Sequence, residues 1–528
     1  MLILVWLASF IASITWWRLP LDHDDQALFR LGAGIMRHGG QLYRDIWDVK
    51  QPGIYWFYEV AESVFGAGTV FGGVHILTSA WLAMAAVVVA WLLRQAMPWS
   101  RVWILAPVVT LGAYVLRVNV FSLAQVEALI VLPILGAMAC LAMAAASDPK
   151  NGARCYFVAG LLTGVTATFK IILAVIPGVM IALGLFGLAY GAARAEYERE
   201  YRSGYRLVVV CLFSAATGIL LVAVSVALPF AITGRLDIFL WTQFVFPTAA
   251  IGAAELAPPS KLLISGGYLF TTVALFLPAA VVGTLRLGRS SLPFSRYIGY
   301  FSVAWVVVGL AAIVAQRFSW HAYHFVMLFW PIGILAAAGV AVPFERSTDR
   351  RSNRRSMPDR VVIALLTAGV LVNGARFAWH QVHPFMPVVD SKTYLGELSE
   401  LGERIAAQGC RSAIVFGSPA LLHATGLVPV DSLTGQLAVI LLPEQWADLE
   451  GAIERRKPQY VYFSSELHAV VSKQAPNLAT WISSHYERVV SDKQGGIWLA
   501  YKSERKPRDC RTHIPVTRPL HEIGRAHV

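Results

Sequence analysis

The chain has 528 residues, 56% of them hydrophobic and 14% charged, with a mean hydropathy of +0.57 and a formal net charge of +12. Soluble domains carry about 25% charged residues, so this composition excludes an ordinary soluble protein and indicates a membrane protein. The positive charge does not indicate nucleic acid, because the arginines and lysines stand in short segments between apolar runs and form no basic patch on a soluble domain. The five cysteines (Cys140, Cys155, Cys211, Cys410, Cys510) show no CxxC or CxxH spacing, which excludes a disulfide framework or a zinc site read from spacing.

A bilayer span takes about 20 apolar residues. Apolar runs near 2–17, 70–93, 102–118, 121–146, 155–169, 171–190, 207–232, 263–285, 297–315, 322–342 and 361–378 give about eleven candidate spans. The first lacks the small-residue cleavage site of a signal peptide and is expected to persist as a helix. Alternate loops carry the basic residues: Arg94 and Arg101; Lys150 and Arg154; Arg194, Arg199, Arg202 and Arg206; Arg286, Arg289 and Arg296; then ERSTDRRSNRRSMPDR at 345–360. The positive-inside rule makes these cytoplasmic. Residues 18–68, the region near 119, 233–262, 316–321 and everything after about 379 then face outward.

The first outer segment holds five basic and seven acidic residues among many aromatics. It opens with Asp22, His23, Asp24 and Asp25 directly after an apolar run. ALFRLGAGIMRHG has apolar residues at helical intervals and stops at Gly39-Gly40. PGIYWFYEVAESVFG is a second amphipathic helix, opened by Pro52 and rich in interfacial Trp and Tyr. The simplest role for Asp24 or Asp25 is to cap the first of these helices. That uses one aspartate and leaves Lys50-Gln51-Pro52 unexplained.

From about 390 to 502 the chain alternates amphipathic helices with short β-type runs. SAIVFGS, PQYVYFSS and GGIWLAYKS read as strands; TYLGELSELGERIAAQ, PEQWADLEGAIERRKP and NLATWISSHY read as helices. The expected architecture is an α-helical polytopic membrane domain over 1–382, including the outer loop 18–68, followed by a small extracytoplasmic α/β domain over 383–503. The final residues EIGRAHV match the translation of a common sequencing adapter, so 504–528 is expected to be non-native and carries no functional reading.

Asp24-Asp25-Gln26-Ala27-Leu28-Phe29, Gly39-Gly40, Leu42-Tyr43-Arg44-Asp45 and the run Trp47 to Gly53 resemble the first outer loop of bacterial membrane glycosyltransferases of the protein-mannosyltransferase and aminoarabinose-transferase superfamily. That family's pattern is roughly D-E-x-x-Y, a Gly pair, P-Y-R-D and K-P-P. Here Gln26 replaces the acidic second residue, Phe29 the tyrosine and Gln51 the first proline. Glu127 occupies a place where the family often carries an acid. GLLTGVTATFK, ending at Lys170, is similar to the family's G-x-x-x-G-x-x-x-x-x-K segment. HFVMLFWPIGILAAAG at 324–339 resembles its H-Y-F-L-x-L-L-P segment, with His324 and Pro331 at the matching positions.

The resemblance implies a C-type glycosyltransferase fold in the bacterial cytoplasmic membrane. The donor would be a polyprenyl-phosphate sugar, and the acceptor a glycan, lipid or protein. Asp25, with Asp24 beside it, matches the catalytic base. Lys50, Arg317 and His324 would receive the donor phosphate, and Asp22, Glu127, Tyr55 and His321 would contact substrate. Transfer needs a base within hydrogen-bond reach of the acceptor hydroxyl and cations where the leaving phosphate gains charge. No cofactor or metal is implied, although three aspartates could hold a divalent cation through oxygen ligands. Each residue also has a plainer role. Lys50 could snorkel at the interface, His324 could be a satisfied buried histidine, Glu127 could pair with Arg117, and Lys170 could serve helix packing. A transporter or flippase of lipid-linked saccharides would also explain many spans and intramembrane charge, but the chain shows no self-similar halves of the kind transporters often carry. A non-catalytic subunit of an envelope complex is favoured only by the departures at Gln26 and Phe29.

The arginine-rich loops predict that the N-terminus, 191–206 and 345–360 face the cytoplasm and 384–502 lies outside. A cysteine introduced as Ser418→Cys is expected to react with an impermeant maleimide added outside intact cells. Labelling only from the cytoplasmic side would overturn this topology.

Overall fold

The computed structural model describes all residues except 15–23, 67–71, 119–121, 147–148, 194–197, 254–256, 318–319, 342–356, 383–411, 426, 435–440, 492–495 and 503–528. Asp22, the expected helix at 393–408 and the tail 504–528 lie outside the described residues. The chain forms two compact units. One comprises Met1–Leu19, Val74–Thr233 and Leu256–Pro384; the other comprises Pro20–Gly73, Gly234–Glu255 and Phe385–Val528.

The first unit is a multi-pass membrane domain. Among the described residues, seven helical runs are long and apolar enough to cross a bilayer: Gly73–Ala96, Val126–Ala144, Ile171–Gly191, Gly204–Ile232, Pro259–Gly288, Pro293–Ala315 and Ala322–Gly339. Shorter apolar helices cover Leu2–Ile14, Val102–Val115 and Arg360–Ala375, and Pro149–Phe169 is a further helix. Each of the eleven apolar runs of the sequence therefore falls on a helix. In lipid, apolar side chains gain nothing by leaving the tails, so helices associate through close packing of small residues. The helices Leu277–Gly288 and Phe329–Gly339 cross in this way. A Cβ on Gly283 would collide with the carbonyl of Leu335, and one on Gly339 with that of Ala279. Arg286 then caps the second helix, its Nη1 donating to the carbonyls of Gly339 at 2.8 Å and Ala341 at 2.6 Å.

Several of these helices are interrupted. Val126–Leu129 is a single turn before Val131–Ala144. Lys170 is extended (φ −159°, ψ 105°) between Pro149–Phe169 and the 3-10 turn Ile171–Ala174. Ala322–Leu328 is 3-10 before Phe329–Gly339 becomes α-helical. Backbone groups freed by such breaks find no water in a bilayer, so breaks survive only where protein or a wet cavity surrounds them.

The second unit contains the two surface helices of the first outer loop and the α/β tail. Helix Asp24–Arg37 ends at Gly39, whose φ of 86° only glycine adopts readily. Helix Pro52–Phe65 begins on proline at its first position. An ion triad joins them: buried Glu62 accepts from buried Arg30 Nε at 3.2 Å and faces half-buried Arg37 Nη1 at 3.5 Å. Phe29 packs edge-on against Tyr55 and Tyr58 in the same seam.

The tail is a five-stranded sheet of β1 (Ser412–Phe416), β2 (Val428–Pro429), β3 (Tyr460–Phe463), β4 (Tyr486–Ser491) and β5 (Ile497–Tyr501) in the order β2-β1-β3-β5-β4. β1 runs parallel to β2 and β3, while β5 is antiparallel to β3 and β4. All four residues of β3, and all of β1 but Ser412, are buried, as expected of parallel strands covered on both faces. Helices Pro443–Arg456, Ser465–Gln474 and Pro476–His485 present apolar residues to this core, with Trp446, Leu449, Ala452 and Ile453 buried at helical spacing on the first. The two strands absent from the sequence reading are β2, only two residues long, and β4, whose start at Tyr486 directly follows the last helical residue, His485.

Candidate functional site

Among the described residues, the candidate charged side chains fall in two groups, one in each unit. In the outer-loop unit, Asp25 sits in the first turn of helix Asp24–Arg37, and Lys50 stands two residues ahead of the Pro52 helix. Lys50 Nζ donates to Asp25 Oδ2 at 3.1 Å. The pair is partly open to solvent, with side-chain exposures of 21% and 26%. The two residues on which the sequence reading rests most heavily are thus brought together across 25 positions.

Behind them lies a second carboxylate that is not among the sequence-derived candidates. Asp48 is fully buried. Its Oδ2 accepts the Tyr55 hydroxyl at 2.5 Å, and its Oδ1 accepts the Val49 backbone N–H at 2.6 Å. Burial pushes its pKa from 3.8 up to about 6; the Lys50 charge and both hydrogen bonds oppose that rise, and the Asp25 charge adds to it. Tyr55, a candidate substrate contact, is itself fully buried with its hydroxyl committed to Asp48, and burial together with that carboxylate holds the phenol well above its ordinary value. Asp24 is the first residue of the helix, and Asp22 lies outside the described residues.

In the membrane unit, Glu127, Lys170 and His324 converge. Lys170 Nζ donates to Glu127 Oε1 at 2.6 Å, and His324 Nε2 lies 3.6 Å from the same oxygen. Glu127 and His324 are both 2% exposed. Each of the three comes from one of the helix interruptions, which turn polar side chains inward from three directions. Tyr323 lies edge-on to His324 and stacks on His321. Lys170, expected to serve helix packing, is instead the ionic partner of Glu127. Arg117, named as the alternative structural partner of Glu127, lies over the ring of Tyr268 at 4.4 Å. Arg317 is exposed in the turn after Pro293–Ala315 and is not drawn into this cluster. Among the described residues no three His, Cys, Asp or Glu side chains form a metal-holding group.

No protein-family model matches the sequence, and neither does any curated protein. Solved structures do match over nearly the whole chain. ArnT from Cupriavidus metallidurans bound to undecaprenyl phosphate has a TM-score of 0.55 at 14% identity, covering 96% of this chain and 99% of that one. ArnT in the apo state gives a TM-score of 0.53 at 14% identity, with coverages of 94% and 97%. The Archaeoglobus fulgidus oligosaccharyltransferase in the apo form gives 0.51 at 11% identity, covering 96% of this chain and 75% of that one. The chain therefore has the C-type glycosyltransferase fold that the resemblance in its outer loop implies.

The Glu127–Lys170 pair can be tested through stability. Removing one member of a buried pair strands the other charge and costs about 3–5 kcal/mol, whereas removing both often costs little. Lys170→Met is therefore expected to lower the unfolding free energy in detergent by about that amount, and Glu127→Gln/Lys170→Met to recover much of it. A double variant no more stable than Lys170→Met would argue against a direct pair.

Asp48 makes a pH prediction. Its folded pKa of about 6 lies above the unfolded value near 3.8, so folding favours the protonated form. Its contribution to stability is fully present below about pH 4 and is lost as the pH rises through about 6. Between pH 4 and pH 7 wild type should lose about 2–3 kcal/mol relative to Asp48→Asn, at roughly 1.36 kcal/mol per unit. Parallel unfolding curves of the two proteins across that range would contradict this.

Proposed function

We propose that the chain transfers a sugar from a polyprenyl-phosphate donor to an acceptor on the outer face of the bacterial cytoplasmic membrane. The observation that carries this reading is the Asp25–Lys50 pair, a carboxylate and an ammonium 3.1 Å apart and partly open to solvent, in a chain with the fold of a protein solved with undecaprenyl phosphate. Asp25 takes the proton of the acceptor hydroxyl. The acceptor oxygen bonds to the anomeric carbon as the bond from that carbon to the phosphate oxygen breaks, and the electron pair leaves with polyprenyl phosphate. Attack opposite the leaving group inverts the anomeric centre. No general acid is required, because the phosphate departs as an anion.

Lys50 supplies positive charge to that anion, with Arg317 and His324 as the proposed additional cationic contacts. Before donor binds, its ammonium is held by Asp25; phosphate arrival draws it away and leaves the carboxylate free to act as base. Asp24, Asp22, Glu127, Tyr55 and His321 are the proposed remaining contacts, with Tyr55 acting through Asp48. The reaction is proposed to run without a metal or other cofactor. The outer loop and the α/β tail are proposed to face the periplasm.

The decisive variant is Asp25→Asn. Asn keeps the size of Asp and caps helices as well, and loss of a partly exposed ion pair costs at most about 1 kcal/mol. The protein should fold with near-native thermal stability and lose roughly 10²–10⁴ in rate, the range for a general base. Asp22→Asn and Asp24→Asn are matched controls and should lose less. The measurement is transfer from a radiolabelled polyprenyl-phosphate sugar in reconstituted vesicles. Transfer within a few-fold of wild type by Asp25→Asn would remove it from the mechanism, and movement of labelled lipid across the bilayer without transfer would favour a flippase.

A further inference from the structure

Lys50 lies at the end of an irregular stretch, and Gly234–Glu255, a segment remote in sequence, belongs to the same compact unit. The segment starts at Gly234 (φ 66°) and continues as helix Leu236–Leu240, a π-helical turn Trp241–Val245 and helix Phe246–Ala253. Phe239, Thr242, Gln243 and Phe246 are all buried, at the i, i+3, i+4, i+7 spacing of one helical face. That face receives the 42–50 stretch. Arg235 Nη1 donates to the Leu42 carbonyl at 2.5 Å, Trp47 Nε1 donates to Thr242 Oγ1 at 3.2 Å, and the Trp47 ring meets Phe246 edge-on.

Tyr43 is the centre of the arrangement. It is 1% exposed and adopts φ of 68°, a left-handed conformation that is costly for an aromatic residue and persists only where its surroundings impose it. Its backbone N–H donates to the Ile46 carbonyl at 2.7 Å. Its hydroxyl donates to the Lys50 carbonyl at 2.6 Å and accepts from Gln243 Nε2 at 2.9 Å. A carbonyl can only accept, so the phenol proton is committed to Lys50, and the Gln243 amide must present its N–H₂ side. Gln243 Oε1 is left buried without a hydrogen-bond partner among the described residues. A strained tyrosine and a half-satisfied amide are together spent on fixing one backbone carbonyl, that of the residue whose ammonium meets Asp25.

We infer that Tyr43, held by Gln243, is a positioning residue that sets the backbone of Lys50 and so aims its ammonium at an anionic phosphate. This rests on the reading of Lys50 as a phosphate ligand. The Gly234–Glu255 segment is then the template on which the catalytic loop is shaped, and its polar pair acts on the ligand only through Lys50.

The test measures binding of undecaprenyl phosphate to the full chain in detergent, for wild type, Lys50→Ala, Tyr43→Phe, Gln243→Met and the double variant Tyr43→Phe/Lys50→Ala, with thermal stability recorded alongside. Tyr43→Phe keeps the ring and removes only the hydroxyl; Gln243→Met keeps the volume and removes the donor. Tyr43→Phe and Gln243→Met are expected to weaken binding roughly tenfold while unfolding near the wild-type temperature. The double variant should bind no more weakly than Lys50→Ala, because the hydroxyl acts only through the lysine. If Lys50→Ala weakens binding while Tyr43→Phe and Gln243→Met bind as wild type, the positioning role is overturned and the phosphate role stands. Additive losses in the double variant also overturn it, since they show Tyr43 acting independently of Lys50. If Lys50→Ala binds as wild type, the phosphate role itself falls, and the positioning inference with it.

Discussion

One ammonium is shared between two carboxylates of different character, and the outer-loop site depends on how that sharing is arranged. Lys50 Nζ touches Asp25, which is partly open to water, and its charge also reaches Asp48, which is wholly buried. In water an exposed pair is worth at most about 1 kcal/mol, so the Asp25 contact can be given up at little cost. Asp48 cannot rehydrate in that way. Its charge is supported from within by Tyr55, by the Val49 N–H and by Lys50, and burial still keeps its proton on to about pH 6. The buried acid thus ties the lysine stretch to the Pro52 helix through Tyr55, while Asp25 stays partly open to water.

The membrane unit meets the opposite constraint. Charge there is expensive because nothing solvates it, and Glu127, Lys170 and His324 are tolerable only as a group. Each lies at an interrupted helix, where freed backbone polarity must already be buried in protein. The interruptions and the ion cluster therefore support one another: the breaks aim the side chains inward, and the cluster gives the breaks a polar interior. Elsewhere the unit is held by contacts that need no charge, such as the Gly283–Gly339 crossing.

Much of this was legible in the sequence because it follows from local chemistry. Pro52 opening a helix, Gly39 closing one, and apolar runs long enough for a bilayer are local signals, and helices stand where those signals placed them. SAIVFGS, PQYVYFSS and GGIWLAYKS became β1, β3 and β5 because continuous apolar runs bounded by turn residues suit buried strands. Local chemistry marks only more charge than one helix cap needs; Asp25 and Lys50 are singled out by the resemblance of their loop to the D-E-x-x-Y and K-P-P patterns of the glycosyltransferase superfamily. The rest depends on contacts between distant parts of the chain. Asp48 reads like any other loop acid until its burial is seen. Lys170 and Glu127 are 43 residues apart, and only a helix break brings them to hydrogen-bond distance. Gln243 lies 200 residues from the tyrosine it holds, in a stretch whose spacing alone marks it as an amphipathic helix with no stated partner.

Burial also bears on the two departures that set this loop apart from the family it resembles. Gln26 and Phe29 are both fully buried on the helix whose first turn carries Asp25. Phe29 packs edge-on against Tyr55 and Tyr58, so a tyrosine there would bring a hydroxyl into an aromatic seam that would have to find it a partner. An acid at position 26 would be a desolvated charge, whereas glutamine keeps the shape and polarity without it. Both changes therefore alter how the helix is packed and leave its partly exposed carboxylate in place. The substitutions fall where packing is decided, and the Asp25–Lys50 pair stays partly open to solvent.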